Sequence, residues 1–179
     1  MYARRTVMAA AATAMILPSD RNARTAEAAI SADEERGMRL AMEIGRRNPA
    51  APFGAVIISR TDGTVMASGV NDSRASPTLH GEIAAMNDYV GKHGNQGWMD
   101  QSLYTTAEPC PMCMSALVWA RIGGVVYGTS IGGLRQFGFD QIGINAAEVV
   151  RAASFYNGSL KGGVLAAETD ALFANRTRR

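Results

Sequence analysis

Two stretches decide the fold: Thr78-Leu79-His80-Gly81-Glu82-Ile83 and, thirty residues beyond the histidine, Ala107-Glu108-Pro109-Cys110-Pro111-Met112-Cys113. His80, Cys110 and Cys113 supply one imidazole nitrogen and two thiolates, a donor set suited to zinc. Three protein donors leave the fourth tetrahedral position to a water, which marks a catalytic rather than a structural zinc. Water held there loses its proton near a pH of roughly 7. Glu82 is not needed as a donor; two residues beyond His80, it can stand beside that water and move protons. The expected cofactor is therefore one zinc ion per chain. The chain has two cysteines and two histidines. A disulfide or a redox pair is the competing reading of Cys110 and Cys113, but it leaves His80 and Glu82 without a purpose. The second histidine, in Gly91-Lys92-His93-Gly94, reads as part of a solvated loop and not as a fourth ligand.

Outward from these stretches, the pattern alternates between helical and strand periods. Ser31-Ala32-Asp33-Glu34 is a capping box that opens a helix carrying Met38, Ala41, Met42 and Gly45 on one face, and Asn48-Pro49 closes it. Residues 53–59 form an apolar run expected as a fully buried strand. Asp62-Gly63 signals a hairpin turn into a second strand over 65–70. A helix is expected from 80 to about 90, a polar loop over 91–97, and a short strand over 103–106. Pro111 opens a helix to 121, and a strand follows over 125–128. Residues 128–143 are rich in glycine and read as a pocket loop, and helices over 146–152 and 165–174 close the chain. The order predicts an α/β fold, a central mixed sheet sandwiched by helices. Both groups of metal donors fall where helices begin, and the partial positive charge there favours thiolate over thiol.

The motifs resemble the zinc-dependent cytidine and deoxycytidylate deaminase superfamily, in its nucleobase and nucleoside branch, whose signature is His-x-Glu followed by Pro-Cys-x-x-Cys. Residues 78–83 and Leu103-Tyr104-Thr105-Thr106 are similar to fungal cytosine deaminases. Residues 107–113, with Trp119-Ala120-Arg121, look more like bacterial guanine deaminases and tRNA adenosine deaminases. The resemblance runs from about Ser31 to the C-terminus. It implies a cytidine-deaminase-like fold and hydrolytic removal of an amino group from a heteroaromatic ring, with Glu82 as the catalytic proton shuttle and ammonia as a product. It also implies that Asn71 binds the ring edge, helped by backbone groups near Gly54-Ala55, and that the chain forms a homodimer with residues 128–143 near the interface. Phe137, Phe139 and Asp140 are candidates to line the substrate, with packing as their alternative role; Asp140 is expected as a binding residue. Glu108 falls near the pocket. Trp119 and Met114 are expected in the core or at the dimer contact. Guanine is the favoured substrate and cytosine the next. A tRNA adenosine deaminase is the alternative, and a non-catalytic zinc protein a further one.

Composition fits this reading. At 179 residues, with 47% hydrophobic and 19% charged, the chain suits one globular domain. Arg4-Arg5, an apolar run over 7–17 and Ala26-Glu27-Ala28 have the layout of a cleaved twin-arginine leader. The expected organisation is thus a signal segment, 1–28, and a deaminase domain, 29–179. The expected location is the periplasm or exterior, and otherwise the cytoplasm. An apolar run of this length is too short to anchor in a bilayer. Removing the leader takes away four arginines, one aspartate and one glutamate, and brings the formal charge from +2 to zero. A neutral protein has little electrostatic pull on nucleic acid, which favours a small-molecule substrate.

Overall fold

The computed structural model describes residues 29–177, so the expected leader lies outside the described residues. Helix α1 (Ala32–Gly45) leads into the hairpin β1 (Gly54–Ser59) and β2 (Val65–Val70). Helix α2 (Gly81–His93) follows, then β3 (Gln101–Ala107), α3 (Pro111–Ala120) and β4 (Gly124–Thr129). The chain ends with α4 (Ile131–Gln136), α5 (Ala146–Ala152), β5 (Ser159–Lys161) and α6 (Ala166–Ala174). The sheet is mixed, in the order β2-β1-β3-β4-β5. Strand β1 is antiparallel to both β2 and β3, whereas β3, β4 and β5 run parallel.

Strands β1 and β4 read as apolar runs because both sheet faces are covered there, and alternate residues point to opposite layers. Ala55, Ile57, Leu103 and Val125 pack with Ala85 and Tyr89 of α2 and with Met114 and Leu117 of α3. Their neighbours Val56, Ile58, Tyr104 and Val126 pack with Met38, Ala41 and Ile44 of α1. The capping box at Ser31 is formed: Glu34 N donates to the Ser31 hydroxyl at 3.2 Å, and Ser31 N donates to the Glu34 carboxylate at 2.8 Å. In the hairpin, Thr64 N donates to Asp62 at 3.0 Å, and Gly63 takes φ +74°.

The structure corrects several expectations. Helix α2 runs to His93 and absorbs the first part of the expected polar loop. An Asp88–Lys92 ion pair of 2.7 Å and the positive φ of Gly94 complete that last turn. His93 is therefore helical and half-buried, with Nε2 3.1 Å from the Met66 carbonyl. The glycine-rich segment contains α4, whose Ser130 hydroxyl caps Gly133 N at 3.1 Å; Gly132 and Gly133 hide this helix from a propensity reading. The three residues of β5 are too few to carry a period. Met114 is core, and Trp119, 76% exposed, is not, which leaves the dimer contact of its two expected places. No described helix is long and apolar enough to cross a membrane.

Gly69 sets the seating of α2. A Cβ there would collide with backbone atoms of Gly81 and Ala85 in the first turns of the helix. Gly91, on the exposed side of the same helix, has nothing within 4 Å of its would-be Cβ. Gly69→Ala should therefore lower the unfolding free energy by about 1–3 kcal/mol. Gly91→Ala should raise it by about 1 kcal/mol through helix propensity. Urea unfolding checks both; equal effects in the two variants would contradict this packing.

Candidate active site and metal centre

Because β1 is antiparallel to both neighbours, β2 and β3 point the same way and end at the same edge of the sheet. The helices that follow them start there. His80 is the N-cap of α2, Cys110 is the N-cap of α3, and Cys113 lies in the first turn of α3. Pro111 takes the first helical position, where its missing N–H leaves no bond unmade. His80 Nδ1 lies 3.6 Å from each sulfur, and the three donor atoms lie within 4.8 Å of one another. Among the described residues this is the one His/Cys/Asp/Glu cluster of that kind.

The donor set passes a simple test of fit to zinc. Tetrahedral coordination with Zn–N near 2.0–2.1 Å and Zn–S near 2.3 Å puts nitrogen and sulfur about 3.6 Å apart. Protonation chemistry agrees. A hydrogen bond from Cys113 holds the Cys110 thiol down to about 4, against the opposing effect of burial and with help from His80. Cys113 is pushed up, because its proton serves Cys110 and because it is buried. His80 is raised by its hydrogen bond to Cys110. The three groups thus share protons that a bound cation would displace.

Glu82 is 3% exposed, and burial raises its carboxyl above the ordinary glutamate range. The Thr105 hydroxyl lies 3.5 Å from its Oε1. Glu82, His80 and Cys110 line a cavity of about 270 Å³, and Cys113 sits behind them. Asn71 lines the same cavity. Its Oδ1 accepts from the Ser73 hydroxyl at 2.8 Å, while its backbone is tied to Phe53 O at 2.9 Å and to the Asn48 amide at 2.8 Å. That leaves Nδ2 of Asn71 turned to no protein acceptor among the described residues. Phe53, Leu134 and Phe139 supply apolar walls, and Asp140 stands at the exposed mouth.

Several expectations change here. Of its two expected roles Phe137 takes the packing one, beside Leu134 and Phe173, and does not line the cavity. The backbone near Gly54-Ala55 does not line it either: Gly54 N donates to the Thr106 hydroxyl at 3.1 Å, and Ala55 pairs within the sheet. Ala51, Ser73 and Gln141 line the cavity although no motif marked them. Glu108 does reach it, as a nearly buried carboxylate. His93 lies in the packing between α2 and β2, with its ring centroid 5.2 Å from that of Tyr89.

Residues 31–129 match the cytidine and deoxycytidylate deaminase zinc-binding region. The chain belongs to that family. The family's zinc fits the donor set His80, Cys110 and Cys113. Over 108 residues the chain is 38% identical to a guanine deaminase of Bacillus subtilis, covering 59% of this chain and 68% of that protein. A solved guanine deaminase from Nitrosomonas europaea superposes with a TM-score of 0.68 at 25% identity, covering 79% of this chain and 84% of the other. A tRNA-specific adenosine deaminase of Streptococcus pyogenes is 38% identical over 81 residues, which are 44% of this chain and half of that protein.

The two thiols differ enough to be told apart chemically. In metal-stripped protein, Cys110 is half-exposed and is a thiolate well below neutral pH, whereas Cys113 is buried and keeps its proton. Because thiolate is the nucleophile, iodoacetamide at pH 6 should label Cys110 and spare Cys113. Restoring zinc should protect both. Peptide mass spectrometry reads the result, and equal labelling of the two cysteines would contradict the asymmetry.

Proposed function

We propose that this protein is a hydrolytic deaminase of a small nucleobase, with guanine the favoured substrate. One observation carries the reading: Glu82, the metal donors His80 and Cys110, and the Asn71 amide open onto a single small cavity with aromatic walls. The similarity to guanine deaminases over most of the described chain supports guanine specifically. Phe53 and Phe139, 5.0 Å apart in an edge-to-face pair, offer apolar surfaces to the faces of a flat ring. Asn71 Nδ2 donates to an acceptor on the ring edge, and Asp140 accepts from an N–H of the ring at the mouth.

A zinc ion held by His80, Cys110 and Cys113 would acidify the attacking water. Glu82 receives the proton that the water loses and passes it to the ring nitrogen beside the amino-bearing carbon. A second proton moves through the same carboxyl to the amino group, which leaves as ammonia. The ring keeps the oxygen, so one water is consumed for each ammonia released. Burial suits Glu82 to this double duty, because it raises the proton affinity of a carboxylate that would otherwise hold a proton poorly near neutral pH.

The relationship to tRNA-specific adenosine deaminases supports a second reading, in which the same chemistry acts on an adenosine of tRNA. The second copy of the chain belongs to the first reading. Trp119 and Phe155 stack with centroids 5.1 Å apart on exposed surface. Ile142 and Ile144, also exposed, lie just before α5, which packs on α3. Exposed apolar side chains such as these suit burial in a homodimer.

Ammonia release from guanine, cytosine, adenosine and a tRNA anticodon stem-loop tests the proposal, with guanine expected to be the best substrate. Glu82→Gln should keep its zinc and lose turnover by about 10⁴-fold, at the top of the range for a general acid–base group. Light scattering of the same preparation should give twice the chain mass. Turnover of the stem-loop above guanine would install the second reading, and activity in Glu82→Gln within about tenfold of the parent would remove Glu82 from the reaction.

A further inference from the structure

Between β4 and α5 the chain makes one long excursion, residues 131–146, that carries Phe139, Asp140 and Gln141 to the cavity. Both ends of the excursion meet on one side chain. Glu108 Oε2 accepts from Ile131 N at 2.8 Å, and Glu108 Oε1 accepts from Ala146 N at 2.8 Å. These are the first residues of α4 and α5. Glu108 is 6% exposed, and its own N–H donates to the Thr129 carbonyl at 2.7 Å. It therefore sits rigidly at the end of β3, two residues before the metal donor Cys110.

We propose that Glu108 is a positioning residue that staples both ends of the 131–146 excursion to the metal-bearing loop and so fixes the substrate wall of residues 139–141. A carboxylate is suited to this because it presents two acceptor oxygens and no donor, and both backbone N–H groups need an acceptor. Charge makes each bond stronger than a neutral one. An amide at the same place can satisfy only one N–H and turns a donor towards the other. The wall would then lose half its anchor while the donors His80, Cys110 and Cys113 keep theirs.

The proposal rests on the deaminase reading for its kinetic arm but not for its structural arm. In zinc-loaded Glu108→Gln, amide hydrogen exchange over 131–146 should speed up while that over 80–82 and 110–113 stays as in the parent. Zinc should remain at one per chain. KM for the ring that the parent deaminates should rise about tenfold, with kcat within about threefold. Glu108→Asp keeps the charge but is one methylene short, reaches one N–H, and should fall between the two; it also serves if Glu108→Gln fails to fold. Unchanged exchange would overturn the staple. Faster exchange with unchanged KM would make Glu108 merely structural, and raised KM with unchanged exchange would make it a direct substrate contact. Loss of zinc would place its role in the metal loop. If the parent deaminates none of the rings offered, the deaminase reading fails, and the exchange pattern alone upholds or overturns the staple.

Discussion

Everything at the site depends on the antiparallel pairing of β1 with both neighbours. That pairing makes β2 and β3 co-directional, so their C-terminal ends share one edge of the sheet. Two helices begin there, and their first turns hold one imidazole and two sulfurs 3.6 Å from it. A β1 antiparallel to one neighbour and parallel to the other would put those ends on opposite sides of the sheet and scatter the donors. Close backbone approach maintains the arrangement. Gly69 admits α2 to the sheet, and Gly54 lets β1 touch α1, where a Cβ would strike Ala41 and Gly45.

The same edge explains why Glu82 is buried beside the metal donors. It projects from the first turn of α2 over β3, towards Thr105, with almost no access to water. A charged carboxylate is costly there, so the proton binds more tightly than in solution. Cys110 adds to the effect of burial, and in the proposed mechanism the same carboxyl both takes and gives the proton. The cavity has two parts of different origin. Its metal side stands on sheet and helix starts, whereas its far wall is an excursion held by the side chain of Glu108.

Much of this was legible before the structure. The donors and Glu82 are written in two short motifs, because metal geometry tolerates few spacings. Strand positions followed from apolar runs and turn signals, as at Val56 and Ile57, and helix positions from caps and period-3.6 spacing, as at Met38 and Ala41. What could not be read has physical causes. Helix α4 is masked by Gly132 and Gly133 and exists through the Ser130 and Glu108 caps. Strand β5 owes its existence to a neighbour, β4, and not to its own residues. His93 looked solvated because its local sequence is polar, while its partner, the Met66 carbonyl, lies on a distant strand. Phe137 and Phe139 are two residues apart and alike in type. Only the turn at Gly138, with φ +80°, decides which one meets the cavity.

The central claim is that these helix starts create a three-donor site with one open position. X-ray absorption at the zinc edge of the loaded protein tests it most directly. Two sulfurs near about 2.3 Å and two nitrogen or oxygen neighbours near about 2.0 Å are expected, one being His80 and the other exchangeable water. A shell of four protein donors, or one without sulfur, would contradict it.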